Sequence, residues 1–206
     1  MKALDLFCGA GGASYDLNQA GFTVIGVDIN NQPNYPFDFT QSDAVSFDIP
    51  KDVNFVWASP PCQAFTAYKR NGKVKNYPNL IPEVRNKLKQ WGGLYCIENV
   101  KNAPLENPIQ LCGSSFGLNV RRHRLFECNF YVKAPPCDHS WQTPRFPPAS
   151  NRKNLRKTVE IGVWRISLEV QKKAMGINWM KLKELSQAIP PAYSELIGKF
   201  ALMALS

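Results

Sequence analysis

No run of apolar residues in this chain is long enough to span a bilayer as a helix, which excludes a helical membrane protein. The N-terminus opens directly on a core-like strand, so no signal peptide is expected. Internal repeats and low-complexity tracts are absent, which excludes solenoid and disordered classes. Six cysteines occur, but without the spacing of a disulfide framework, and one of them stands where a reactive thiol is needed. That usage fits a reducing compartment, and a cytoplasmic location is expected. Acidic residues are scarce in one half only. Residues 1–100 carry nine Lys and Arg against nine Asp and Glu, while residues 101–206 carry sixteen against seven. The whole net charge of +9 therefore sits in the second half, as a confined polyanion-binding surface requires. With 206 residues the chain can build one doubly wound domain and a small appendage, but no second large core.

What is present is most informative at Val56-Trp-Ala-Ser-Pro-Pro-Cys-Gln-Ala-Phe-Thr66. The apolar run from Asn54 to Ala58 predicts a buried strand, which two prolines then end and stiffen. Directly behind them stands Cys62. Merely packing in a core is the common fate of a free cysteine, but a core cysteine has no need of a Pro-Pro brace. A rigid loop at a strand's carboxyl end is how an α/β enzyme presents a nucleophile.

The first hundred residues extend the pattern. Lys2 to Phe7 reads as a strand, followed by Cys8-Gly-Ala-Gly-Gly12 and a helix over Ala13 to Gln19. The glycines let a cofactor approach the backbone, although their spacing is not that of the dinucleotide fingerprint. A second strand over Thr23 to Ile29 carries Asp28, placed to accept hydrogen bonds from ribose hydroxyls. Gln41-Ser-Asp43 is read as the end of a short third strand. Leu94 to Val100 forms the fifth and brings Glu98 near its end. Glycine turn, acid, nucleophile and carboxylate thus fall on the same edge of one sheet.

These residues resemble the DNA cytosine-5 methyltransferases. DLFCGAGG at 5–12 is similar to their first cofactor motif, and Asp28 and Asp43 to the second and third. Pro60-Pro61-Cys62-Gln63 is similar to the catalytic loop, and Glu98-Asn99-Val100 to the ENV motif. Arg122-His123-Arg124 falls where the family has Gln-x-Arg-x-Arg. Ala188-Ile-Pro-Pro191 looks like the closing motif. The resemblance implies a Rossmann-like S-adenosylmethionine-dependent methyltransferase sheet with helices on both faces and a small irregular recognition subdomain. The expected division is 1–127 for the cofactor and catalytic part, 128–163 for target recognition, and 164–206 for a segment returning to the catalytic part. Three departures stand out. Val120 replaces the usual glutamine, Ser186-Gln187 replaces Gly-Asn, and only about sixty residues separate Phe126 from the closing motif.

The mechanism expected is addition of a Cys62 thiolate to carbon-6 of cytosine, which makes carbon-5 nucleophilic. Arg124 first and Arg122 second are the candidates for favouring the thiolate. Glu98, held protonated, would donate to nitrogen-3. The resemblance assigns the S-adenosyl-L-methionine site to Phe7, Gly9, Gly11, Asp28, Ile29, Asp43, Ala44 and Pro60. Phe7 is expected against the adenine, Asp28 on the ribose and Asp43 on the adenine amino group. The base must be flipped out to reach Cys62, and the segment from Ala64 to Pro78 is suited to close over it. Double-stranded DNA is the expected partner, with a restriction endonuclease as a companion, for a monomer that needs no membrane. RNA cytosine-5 methylation, or a non-catalytic DNA-binding role, are the alternatives left open.

In the second half, basic residues cluster at Arg121 to Arg124 and from Arg145 to Lys157, and a further basic run spans Lys69 to Lys75. Trp141, Phe146 and Trp164 lie among arginines, where they could stack on bases or pin an irregular segment. Cys128, Cys137 and His139, with Cys112 in reach, could staple a small region with zinc. Their spacing fits no standard finger, and the site assigned from sequence contains no metal.

Overall fold

The computed structural model describes residues 1–66, 77–142 and 158–206. The basic runs Lys69–Lys75 and Arg145–Lys157, with Phe146 among them, lie outside the described residues.

The strands are β1 (Lys2–Leu6), β2 (Thr23–Asp28), β3 (Asp38–Gln41), β4 (Phe55–Ala58), β5 (Leu94–Asn99), β6 (Ile109–Leu111) and β7 (Arg124–Cys128). They form one seven-stranded sheet in the order β3-β2-β1-β4-β5-β7-β6. β1 to β5 run parallel, β7 lies antiparallel to β5, and β6 antiparallel to β7. Strand order reverses at β1, between β2 and β4. In such a sheet the crevice beyond the carboxyl ends of the strands is where ligands bind.

The helices are α1 (Gly12–Ala20), α2 (Ile81–Trp91), α3 (Leu168–Met175), α4 (Leu182–Gln187) and α5 (Pro191–Leu205). Strand periodicity decides which face each covers. Ala3, Phe55, Trp57 and Cys96 point to one side, where they pack with Leu17 of α1 and Tyr193, Ile197 and Ala201 of α5. Leu4, Leu6, Val56, Ala58 and Ile97 point to the other, against Val84 and Leu88 of α2. Helices on both faces are therefore a consequence of central strands apolar on both sides. α3 and α4 bring Ala174, Met175 and Leu185 into a third, smaller cluster with Ala10 and Val120.

The third strand ends at Gln41, two residues before the Asp43 expected to end it, and Ser42 adds one more bond by donating to the Asp28 carbonyl at 3.0 Å. After β7, Phe130 and Ala134 pack on the core shared with α5, and Val132 is buried within it. Gln142 donates to the Leu118 carbonyl at 2.8 Å, and the Val159 amide donates to Asn119 at 2.7 Å. The described ends of the 128–163 region are thus tied to adjacent residues of the main body. Trp164 is 88% exposed and is too far into solvent to pin anything.

Candidate active site

The glycine turn is the first component. Phe7 leaves β1 with φ 61°, a left-handed conformation unfavourable for a residue with a Cβ, and Gly9 and Gly11 follow at φ 50° and 82°. Backbone held this way by a non-glycine residue is commonly part of a functional turn. Gly12 is constrained differently: a Cβ there would stand 3.1 Å from Ala188 Cβ and 3.3 Å from the Ile189 carbonyl. The Gly9 amide donates to Asp28 Oδ2 at 3.1 Å, and the Asn30 amide donates to Oδ1 at 2.9 Å. Two backbone donors thereby aim the Asp28 carboxylate and leave lone pairs for a ligand's hydroxyls. Cys8, in the same turn, is buried, and burial beside Asp5 drives its thiol far above the ordinary range. Both burial and this upward shift work against its acting as a nucleophile, although it lines the same cavity as Cys62.

The second component is the loop after β4. Its Ser59 amide donates to the Leu6 carbonyl at 3.1 Å, and Asn99 Nδ2 donates to the Pro60 carbonyl at 2.8 Å. Asn99 of ENV therefore fixes the loop that presents Cys62, a role its sequence position alone did not reveal. The carbonyl of Cys62 accepts from Phe65 and Thr66 at 3.0 and 3.2 Å, closing a tight turn behind the thiol.

Glu98 lies at the end of β5, with 7% of its surface exposed, and Arg124 Nε stands 3.2 Å from its Oε1. Burial raises the Glu98 carboxyl, while Arg124, a Ser59 hydrogen bond and Arg122 pull it down. Burial and the Glu98 charge raise Cys62, with Arg124 and Arg122 opposing. Arg124 and Arg122 act on the thiol in the direction expected of them, lowering it against burial and Glu98. Burial is the largest of these influences, and the net direction for the Cys62 thiol is upward.

The third component is closure by the C-terminal segment. Arg122, at φ 39°, donates from Nε to the Ala188 carbonyl at 2.6 Å and from Nη2 to the Ser186 carbonyl at 2.7 Å. Burial and Arg124 push its guanidinium down to about 9, still charged at neutral pH. Arg122 thus clips the closing motif in place, and it does not line the cavity beside Cys62. Tyr193 adds hydrogen bonds to the Arg121 and Arg122 carbonyls at 3.2 and 3.1 Å. Trp179 stacks on Tyr15 at 4.6 Å and donates to the Ala10 carbonyl of the glycine turn at 2.8 Å. Val120 is 1% exposed in the cluster with Met175 and Met180, so apolar packing replaces the polar contact expected of a glutamine there.

These components enclose a cavity of about 360 Å³. Phe7, Gly9, Asp28, Ile29, Pro60, Cys62, Glu98 and Arg124 line it, joined by Met180, Glu184 and Gln187 from the C-terminal segment. Gly11, the residue before α1, does not line it, and a Cβ there would meet Pro36 at 2.9 Å. Asp43 and Ala44 do not line the cavity: Asp43 is exposed and accepts from the Val45 amide at 2.9 Å, while Ala44 is buried in the core under α2. Sequence reasoning missed Asp5. It is 1% exposed, hydrogen-bonded by Ser14 and pushed up to about 7 by burial, and its Oδ1 has no protein partner. A charged residue in the middle of an apolar strand was the available signal.

A parallel sheet with a reversed seventh strand, closed over a glycine turn and a braced thiol, is a Rossmann-like α/β fold. The profile of the C-5 cytosine-specific DNA methylases matches residues 1–107, and the chain belongs to that family. Methyl transfer in this family draws on S-adenosylmethionine. The type II methyltransferase M.AgeI of Thalassovita gelatinovora is 30% identical over 125 residues, covering 48% of this chain and 28% of its own. The chain thus spans less than a third of the curated relative it matches. Among solved structures, a protein described as a DNA modification methyltransferase encoded within an E. coli prophage gives a TM-score of 0.64 at 15% identity. That match covers 100% of this chain and 99% of the other. The S. pombe Dnmt2 methyltransferase gives 0.61 at 15% identity, with coverage of 100% and 99%. At these identities the two structures support the fold.

Proposed function

We propose that this chain transfers a methyl group from S-adenosylmethionine to carbon-5 of cytosine in DNA. The observation that carries the reading is a single cavity. Its floor is the Gly9–Asp28 turn, and its wall carries Cys62, Glu98 and Arg124. Cofactor and base would meet there, one over the glycine turn and the other over the thiol. The donor set fits the cofactor: an oriented Asp28 carboxylate for ribose hydroxyls and a left-handed Phe7 turn that opens the backbone. When bound, the cofactor supplies an electrophilic methyl group.

The residues of this chain do the rest. Cys62 gives up its proton to solvent water and its Sγ adds to carbon-6 of a flipped-out cytosine, moving electron density toward carbon-5 and nitrogen-3. Glu98, raised by burial, donates a proton to nitrogen-3 and so neutralises the charge building on the ring. Arg124 holds the Glu98 carboxyl in position and carries positive charge beside the developing adduct. Once carbon-5 is methylated its proton passes to solvent water, Glu98 takes back the nitrogen-3 proton, and expulsion of the Cys62 thiolate restores the ring. Arg122 and Asn99 act at one remove, positioning the closing motif and the Cys62 loop.

The basic second half favours a polyanionic substrate, and the family profile favours DNA. Residues 1–127 would carry the chemistry, 128–163 target recognition and 164–206 closure, in a cytoplasmic monomer. Kinship with M.AgeI supports a modification role beside a restriction endonuclease. The test is incubation with radiolabelled cofactor and either duplex DNA or tRNA. Label in cytosine of DNA supports the proposal. Label confined to tRNA assigns the substrate to RNA, and label in neither overturns the activity.

A further inference from the structure

Outside the cavity, four potential ligands converge at the base of β6 and β7. Cys112 follows β6, His123 immediately precedes β7, and Cys137 and His139 come from the segment beyond it. One ligand atom from each lies within 4.8 Å of all the others. His139 Nε2 is 3.2 Å from Cys112 Sγ and 3.2 Å from Cys137 Sγ. His123 Nε2 is 3.3 Å from Cys137 Sγ. Hydrogen bonding alone accounts poorly for this arrangement. His139 Nε2 has one lone pair or one proton, directed along one line, yet it faces two sulfurs equally.

We propose that Cys112, His123, Cys137 and His139 form a structural zinc site. Two thiolates and two neutral imidazoles suit zinc above the harder cations and balance its charge, so the site adds none to its basic surroundings. With ordinary zinc–sulfur and zinc–nitrogen bonds, tetrahedral ligands stand roughly 3.6 Å apart, between the three short separations above and the 4.8 Å that bounds the whole set. The cluster differs from the set suggested by sequence. Cys128 faces Cys96 across the β5–β7 ladder and takes no part, and His123 takes its place.

The site has a mechanical consequence. It clamps the segment that carries Cys137 and His139 to the turn after β6, where Ser115 also donates to the Pro136 carbonyl at 2.8 Å. It also fixes His123, the residue between Arg122, which clips the closing motif, and Arg124, which pairs with Glu98. A region with too few residues for its own core gains a staple, and the two arginines gain a rigid mount. The inference does not depend on the methyl-transfer reading.

Metal analysis of the reduced, full-length protein purified with zinc present should find about one zinc per chain, the ratio of a closed four-ligand site. The paired substitution Cys137→Ser and His139→Gln should remove it, whereas Cys62→Ala and Cys128→Ser should each retain it. Cobalt added to the metal-free wild type should give the visible bands of a tetrahedral ion with sulfur-to-metal charge transfer. This second measurement holds even if the paired variant fails to fold. Sub-stoichiometric zinc with no thiolate-bound cobalt would overturn the site. So would zinc that survives the paired substitution or leaves with Cys62 or Cys128.

Discussion

Removing Arg124 should cost stability in a way that depends on pH, because of the carboxyl it leaves behind. In Arg124→Ala, Glu98 stays buried and loses an ion-pair partner 3.2 Å away, with side chains only 17% and 10% exposed. Breaking such a pair costs about 3–5 kcal/mol if the remaining charge persists. Glu98 has a cheaper course, which is to take up a proton. Neutralising a carboxyl of ordinary value 4.5 at pH 7 costs about 3.4 kcal/mol. The wild type already bears part of this, since burial raises Glu98 even against Arg124. The net loss at pH 7 is therefore about 1–3 kcal/mol. The substitution raises the folded-state pKa further above the unfolded one. Both forms keep their full stability below the unfolded value, and the variant loses more as pH rises beyond the wild-type Glu98 pKa. Urea unfolding at about pH 5 and pH 7 reads this directly. The difference between variant and wild type should be small at the lower pH and grow at the higher. In a Glu98→Gln background that growth should vanish. A loss equal at both pH values, or one that keeps its pH dependence without Glu98, would refute the coupling.

Three further outcomes follow from the same geometry. Alkylation of Cys62 by iodoacetamide, followed by peptide mass spectrometry, should quicken about tenfold per pH unit between about pH 7 and pH 9, because burial raises this thiol. Levelling off near neutrality would mean a preformed thiolate. Asp28→Ala should weaken S-adenosylmethionine binding by about 1–3 kcal/mol, or roughly 5- to 150-fold, in isothermal titration. Unchanged affinity would place the ribose elsewhere. Asp5, ordinarily at 3.8 and raised to about 7, binds its proton more tightly when folded, so stability is lost as pH rises through that window. Asp5→Asn should remove a pH-dependent loss of about 4 kcal/mol between pH 4 and pH 7, measured by denaturant midpoints. An identical slope in the variant would show that Asp5 is not the group responsible.

The elements nearest the cavity were the legible ones. β1, β2, β4 and β5 are short apolar runs between turn residues, and the sheet edge collects Asp28, Cys62 and Glu98 because parallel strands all end there. β3 offered less, since DFTQ is largely exposed at the edge of the sheet and carries no hydrophobic period. β6 and β7 were not recognisable as strands. β7 was visible only through the arginines around its start, and its antiparallel pairing with β5 depends on tertiary contact. Cys62, Glu98 and Arg124 were identifiable by residue type and order. What Arg122 holds was not, because its partners are carbonyls more than sixty residues away. The convergence of His123 with Cys112, Cys137 and His139 was hidden for the same reason. Ligands from three separate segments leave no local spacing to read.

The central claim is that Cys62 forms a covalent bond to the cytosine it helps to methylate. Duplex DNA containing 5-fluorocytosine tests this, because fluorine at carbon-5 blocks the proton loss that must precede release of the thiol. Incubated with S-adenosylmethionine and such DNA, the wild-type protein should give a denaturant-resistant complex, with the nucleotide mapped by mass spectrometry to the peptide containing Cys62. Cys62→Ala should give none while still binding cofactor. A complex that persists in Cys62→Ala, or methylation of ordinary DNA by that variant at the wild-type rate, would contradict the account.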